Sequence, residues 1–337
     1  MNATVTSILT RFGGAAFSFI SLCCGGGILD YALLRTGRYR CVGAWDIDAR
    51  AREVYKANHG HEPGGDFTDV PPADFPAHDV LVAGFPCQSF SMAGKRAGFA
   101  DPRGTLFFRI LAIIAAHLPR AILFENVVGL LSHDGGRTFA TVVRKLEALG
   151  YVVTHEVLDA RAFGLPQKRR RVFIVALRRD LDAPFVFPAG MATPVPLADH
   201  LEADVPARYF VTARALAGFE RRKALNVARG HGHGMVVIDP QGCANTLTAS
   251  SGGRERNLVV DRAPAGAADR RDLRYLTPRE CARLQGLPDT FALPVKDGPA
   301  YRILGNAVAV PVVEQVGLRL AAAFDLATRL VPLRKAA

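Results

Sequence analysis

No two of the six cysteines (Cys23, Cys24, Cys41, Cys87, Cys243, Cys281) stand in a C-x-x-C pair, and no His-rich tract lies beside them. That spacing excludes the usual zinc knuckles. A chain of 337 residues, 49% hydrophobic, has no need of disulfide staples, so reduced thiols in a cytoplasm are expected. No run of about 18 apolar residues occurs, and no membrane crossing is expected. Internal repeats and low-complexity tracts are also missing. Acidic residues are the scarcer sign: 31 Asp and Glu against 42 Lys and Arg leave a net charge of +11. A globular chain this basic calls for a polyanionic partner, nucleic acid first.

The N-terminal "GGAAFSFISLCCGG" after Arg11 has the outline of a signal peptide, but reads better as a buried strand running into a glycine turn. Strand-like "AFSFISL", "RCVGAWDID", "DVLVAGF" and "AILFENV" alternate with helix-like "ILDYALLRTG", "ARAREVYKANHG" and "GTLFFRILAIIAAHL". "TFATVVRKLEALG" is a further helix, and "YVVTHEVLDA" and "RRVFIVALR" form a later pair of strands. This alternation predicts an α/β fold with a largely parallel sheet covered on both faces. Between Asp182 and Asp272 the pattern breaks into scattered Pro and Gly with short strands, which predicts a smaller second domain. Helical character returns from "TPRECARLQGL" onward.

Gly25 and Gly27 stand in a strand-to-helix turn, where backbone approaches a ligand closely and helix N–H groups face it. Asp46 ends the next strand about 20 residues on, a usual place for a carboxylate that takes ribose hydroxyls. On these residues alone the turn fits NAD as well as S-adenosylmethionine, or a plain tight turn. Asp66 in "GDFTD" reads either as an acceptor for an adenine amino group or as a cap.

Cys87 sits in "GFPCQSF", a proline-braced loop after a buried strand, and is presented rather than enclosed. A thiolate is a strong nucleophile once its pKa is lowered or its target activated. "AILFENV" ends in Glu125 and Asn126, and in a parallel sheet the strand ends share one ligand-binding rim. In "GLPQKRRRVF", strand alternation sends Arg169 and Arg171 to one side and Arg170 to the other, so two arginines can meet a phosphate or a base oxygen.

In this order the motifs resemble the DNA cytosine-5 methyltransferases. "GFPCQSFS" resembles the family's nucleophile loop, "DPRGTLFF" the motif after it, "ENV" its acidic motif and "QKRRRVF" its Q-x-R-x-R motif. "LTPRECARLQGLPD" and "GNAVAVPV" are similar to its C-terminal motifs, and the likeness runs from about Phe19 to the final helix. The resemblance implies a Rossmann-like class I methyltransferase domain over 1–181, a target recognition domain over 182–272, and a segment over 273–337 that completes the catalytic domain. It implies transfer from S-adenosyl-L-methionine to C5 of a cytosine flipped out of double-stranded DNA. Cys87 would attack C6, Glu125 would bind the N3 and amino edge, Arg171 would face O2 and Arg169 would support the flipped nucleotide.

The Gly25–Gly27 turn, Asp46 and Ile47 would hold the cofactor, with Asp66 and Phe67 at the adenine edge, Pro86 and Leu106 lining the pocket, and Asn306 and Val308 closing it. Gln88, Ser91 and Lys95 of the nucleophile loop would meet DNA. So would Thr246 at a phosphate, backed by Leu247, and His233 in the space left by the flipped base. No metal is implied. The expected protein is a cytoplasmic monomer whose cognate restriction endonuclease is a genetic rather than a physical partner. Three positions depart from the family pattern: Cys23 where an aromatic usually packs on adenine, Ile28 where glycine usually continues, and Ser21 where an acid is common. Alternatives are a tRNA cytosine-5 methyltransferase on the same fold, a catalytically dead DNA-binding homologue, and a nicotinamide dehydrogenase that would leave Cys87 unexplained.

Overall fold

The computed structural model describes residues 16–85, 106–193, 195–231, 234–267 and 269–335. They form two compact units. The first takes the chain to Leu158, then Arg170–Gly190, then the C-terminal helix; the second takes Asp159–Arg169 and Met191–Ala309.

The first unit begins with β1 (Phe17–Leu22), α1 (Ile28–Arg35), β2 (Tyr39–Trp45), α2 (Ala49–His59) and β3 (Val80–Ala83). It continues with α3 (Leu106–His117), β4 (Ala121–Val127), α4 (Arg137–Ala148), β5 (Tyr151–Asp159) and β6 (Arg170–Arg178). These strands make a six-stranded sheet in the order β2-β1-β3-β4-β6-β5. β2, β1, β3 and β4 run parallel, while β6 pairs antiparallel with β4. β1 and β3 are buried at every position, as befits strands covered on both faces. A core of Ile20, Leu81, Phe107, Ile110, Phe124 and Ile174 fills the space against α3.

Helix ends follow from local chemistry. Asp48 caps α2 by accepting from Arg50 N, and Gly60 ends it at φ 75°, where a side chain would be strained.

The second unit carries β7 (Phe210–Thr212), α5 (Ala213–Ala228), β8 (Leu258–Val259), β9 (Arg270–Tyr275), α6 (Pro278–Arg283) and α7 (Asp297–Asn306). Its three-stranded antiparallel sheet runs β8-β9-β7, and residues 167–168 pair in parallel with 244–245. The compact units divide the chain at different places from the breaks in composition at 182 and 272. Residues 159–169 and 273–309 pack with the second unit, because Gln167, Arg169, Gln285 and Arg274 are buried there in polar contacts.

Helix α8 (Val310–Lys335) returns to the first unit and lies on α1. Gly317 permits that approach, since a Cβ there would stand 2.8 Å from Leu33 Cδ2. Tyr39 donates to Gly317 O at 2.6 Å, and Arg38 donates to both carboxylate oxygens of Asp325. Asp297–Thr328 is the one stretch among the described residues long and apolar enough to cross a membrane, an exception to the expectation from apolar runs. Its apolar part is 67% buried inside the protein, as in a core helix.

Candidate active site

The parallel register brings the C-terminal ends of β1, β3 and β4 level: Leu22 pairs with Ala83, and Ala83 with Phe124. Antiparallel pairing puts the start of β6 at the same edge, with Val127 opposite Arg171 and Glu125 opposite Phe173. Glu125 and Arg171 are therefore diagonal neighbours on one sheet face. Arg171 Nε lies 3.1 Å from Glu125 Oε1, with the side chains 16% and 8% exposed. Burial pushes the Arg171 guanidinium below its ordinary pKa and Glu125 opposes that shift. A paired carboxylate and guanidinium thus sit in a sheltered place at the rim.

The loop bearing Cys87 starts beside this pair. A Cβ on Gly84 would stand 3.9 Å from Glu125 Oε2. Phe85 is buried with its ring 5.1 Å from that of Phe124, and Asn126 Nδ2 donates to Phe85 O at 2.8 Å. Asn126 thereby fixes the root of the loop to the end of β4. Only its place next to Glu125 hinted at this role in the sequence. Pro86, Cys87, Gln88, Ser91, Lys95 and His233 lie outside the described residues.

At the other end of the rim, Gly25 N donates to Asp46 Oδ2 at 2.7 Å and Asp48 N to Asp46 Oδ1 at 2.8 Å. Each oxygen keeps a second lone pair for a hydroxyl donor. Burial raises the Asp46 pKa against these bonds. Gly25 is left-handed at φ 56°, with nothing within 4 Å of where its Cβ would be, and Ile47 is 75% exposed. Cys23, where the family has an aromatic, is likewise left-handed at φ 55°. Its thiol is pushed up to about 12 by burial, then by Asp46 and Asp66 nearby, so it is no nucleophile. Open space, an exposed apolar side chain and two carboxylates fit an adenosine group.

Asp66 Oδ1 accepts from Thr68 N and Thr68 Oγ1, so it caps a short 3-10 turn. Phe67 is buried in the core, so its ring is packing rather than pocket surface; Leu106 lies at the margin of the same core.

Beneath the glycine turn lie two groups the sequence had not singled out. Asp30 is fully enclosed and accepts from Ser21 Oγ at 2.6 Å and Tyr55 OH at 2.9 Å. The acid missing at Ser21 is thus replaced from α1. His59 Nε2 lies 3.0 Å from Gly27 O, which can only accept, so that nitrogen carries the proton.

Burial pushes Asp30 up from 3.8 to about 6 and His59 down from 6.5 to about 4. Asp30 holds its proton more tightly when folded, so its contribution to stability falls as pH rises from about 4 to about 6. His59 holds its proton less tightly, so its contribution is complete above pH 6.5 and is lost as pH falls towards 4. Each effect is about 3 kcal/mol, and they oppose one another. Asp30→Asn should leave stability rising with pH over this range, and His59→Gln should leave it falling. Urea midpoints measured from pH 4 to 7 check this, and slopes of the same sign in both variants would refute it.

Arg169 does not join Arg171, contrary to the expectation from alternation. It is 1% exposed within the second unit and donates to Leu247 O at 3.0 Å, Gly305 O at 3.1 Å and Ala307 O. β6 begins at Arg170, so Arg169 lies ahead of the regular strand and its alternation does not apply. Gln167 donates to Leu284 O at 2.8 Å and accepts from Leu247 N at 3.1 Å, while Gln285 donates to Leu304 O at 2.7 Å. This buried polar spine holds the 246–249 stretch against the 305–307 turn. A Cβ on Gly305 would stand 2.3 Å from Thr248 C, so glycine is required there. Thr246 is exposed and donates to Lys168 O, with Leu247 buried behind it. Asn306 is exposed at the end of α7 and Val308 is buried. Among the described residues no cluster of three or more His, Cys, Asp or Glu is arranged to hold a metal.

A family model for C-5 cytosine-specific DNA methylase matches residues 17–322. The chain is 40% identical over 319 residues to the type II methyltransferase M.HpaII of Haemophilus parainfluenzae, covering 90% of this chain and 89% of that protein. It is 43% identical over 288 residues to M.NlaX of Neisseria lactamica, covering 85% and 90%. Among solved structures, a Spodoptera frugiperda DNMT2 mutant superposes with a TM-score of 0.69 at 22% identity, covering 90% of this chain and 99% of that one. That likeness speaks for the fold alone.

Proposed function

The chain belongs to the C-5 cytosine-specific DNA methylases, and from that premise we propose how its residues put a methyl group on cytosine C5. It is a DNA methyltransferase that uses S-adenosylmethionine and modifies cytosine within a specific sequence. When bound, S-adenosylmethionine supplies an electrophilic methyl on a sulfonium sulfur. Cytosine C5 is a poor nucleophile, so the ring must first be activated.

The Cys87 thiolate adds to C6 of a flipped-out cytosine, and the ring electrons move towards C5 and N3. Glu125 shares a proton with N3 and so accommodates the negative charge. Arg171, held 3.1 Å from Glu125, faces O2 and does the same there. C5 takes the methyl group, the C5 proton leaves to a base, and elimination of the thiolate restores the aromatic ring. Asp46 takes ribose hydroxyls, with Ile47 against the adenine. Asn306 and Val308 close the cofactor pocket, and Thr246 meets a DNA phosphate within a recognition region carried by the second unit. The protein works as a cytoplasmic monomer, beside a restriction endonuclease that reads the same site.

The observation carrying this reading is the sheltered Glu125–Arg171 pair beside the anchored root of the Cys87 loop. The test is tritiated methyl transfer to unmethylated duplex DNA, with 5-fluorocytosine to trap the adduct. Wild type should incorporate label and form a covalent complex, and Cys87→Ala should lose both while still binding DNA. Substantial turnover by Cys87→Ala would sink the nucleophile assignment. Transfer to tRNA but not to DNA would move the substrate to RNA.

A further inference from the structure

Helix α5 is amphipathic over half its length only. Ala215, Leu216 and Phe219 pack on the second unit's small core of Val211, Leu258 and Leu273. Beyond Phe219 the helix leaves the core: residues 220–225 and 227–231 are exposed, and no residue of the helix is fully buried. A helix that leaves its core should turn to short polar residues or stop. This one continues as "ERRKALNVAR" and keeps Leu225 57% and Val227 64% exposed.

At about 100° per residue, Arg221, Leu225, Arg229 and Arg222 fall within one third of the circumference, and Glu220 lies on the far side. Arg221 and Arg229 are exposed and make no ion pair among the described residues. They stand about 12 Å apart along the axis, a length over which one DNA strand offers about three phosphates.

The helix is also held rigidly. Arg222 Nη1 lies 3.0 and 2.8 Å from the two oxygens of the buried Glu255, in the short turn Ser251–Arg256 that follows Thr246. The backbone at Gly234 passes so close to α5 that a Cβ there would stand 2.9 Å from Lys223 Cβ. An ion pair therefore ties the basic stripe to the turn after Thr246.

We propose that the exposed end of α5 is a phosphate-backbone contact on duplex DNA, with Arg221 and Arg229 as the contacting cations and Leu225 packed against sugars between them. It rests on the reading of the chain as a DNA methyltransferase. Because phosphates carry no base identity, the contact adds affinity and fixes orientation without choosing sequence.

The experiment uses the full chain carrying Arg221→Gln and Arg229→Gln together. Binding to a cognate and a scrambled duplex is measured from 50 to 300 mM salt. Each phosphate contact contributes about 0.9 to the slope of log affinity against log salt, so the slope should become shallower by about 2. Affinity for both duplexes should fall by the same factor. Arg221→Lys with Arg229→Lys should restore the slope, since a point charge suffices at a phosphate. An unchanged slope overturns the proposal, as does a loss confined to the cognate duplex. So does a change of sedimenting mass at constant slope, which would assign the face to a second copy of the chain. Failure of the enzymatic reading would show separately, as wild type that binds DNA without methylating it.

Discussion

Glu125→Gln lowers the rate of methyl transfer at saturating substrates by about 10²–10⁴-fold. A glutamine amide can still hydrogen-bond at the cytosine edge but cannot share a proton with N3, so the negative charge raised by thiolate addition stays on the ring. The same substitution has a structural side. Arg171 is largely sheltered beside Glu125, and loss of the carboxylate leaves that cation without its charged partner, at a cost of up to about 3–5 kcal/mol. Two measurements separate the effects. Calorimetry of the variant reads the structural loss, and single-turnover transfer below its melting range reads the chemical one. Arg171→Gln alone should also lower the rate. The double variant should then lose less than the product of the two single losses, because the residues act on one charge distribution. A Glu125→Gln enzyme that keeps a tenth or more of the rate while folded would remove Glu125 from the chemistry.

The sheet, its helices and the placing of Glu125 on one rim with the glycine turn and Asp46 were legible in the sequence. They depend on local signals: β-rich apolar runs, the glycine turn, and strand ends that share an edge. The antiparallel insertion of β6 beside β4 was not legible, because strand direction is set by which edge remains unpaired. Yet it is this direction that brings Arg171 to Glu125.

The pairing of Ser21 with Asp30 shows a different limit. Ser21 reads as a missing acid until the fold places Asp30 within 2.6 Å of its hydroxyl. An acid does stand at that hydroxyl, but it comes from a residue nine positions further along the chain. Arg169 was misplaced for a third reason. Alternation is a property of a strand, and Arg169 precedes one. The partners that decide its position, Leu247, Gly305 and Ala307, are 78 to 138 residues away. Tertiary contacts at that range leave no local period to read.

Arg169 is accordingly the residue whose loss should be felt furthest. Its guanidinium satisfies three backbone carbonyls in a place with almost no access to water. Arg169→Leu keeps much of the volume and orphans those acceptors at about 1–3 kcal/mol each, so a loss of at least about 3 kcal/mol is expected. Arg169→Lys keeps the charge but, with a single nitrogen, cannot span carbonyls on two segments, and should recover only part of the loss. What separates positioning from mere bulk stability is where kinetics change. One side of the guanidinium holds the stretch after Thr246, and the other holds the turn bearing Asn306. Arg169→Lys assayed well below its melting range should raise the KM for DNA and the KM for S-adenosylmethionine together, and Gly305→Ala should do the same by forcing its Cβ into the Thr248 backbone. Glu125→Gln should act chiefly on kcat. If Arg169→Lys melts earlier yet keeps both KM values, the spine only stabilises the second unit. If both rise together, one buried arginine couples the stretch after Thr246 to the turn bearing Asn306.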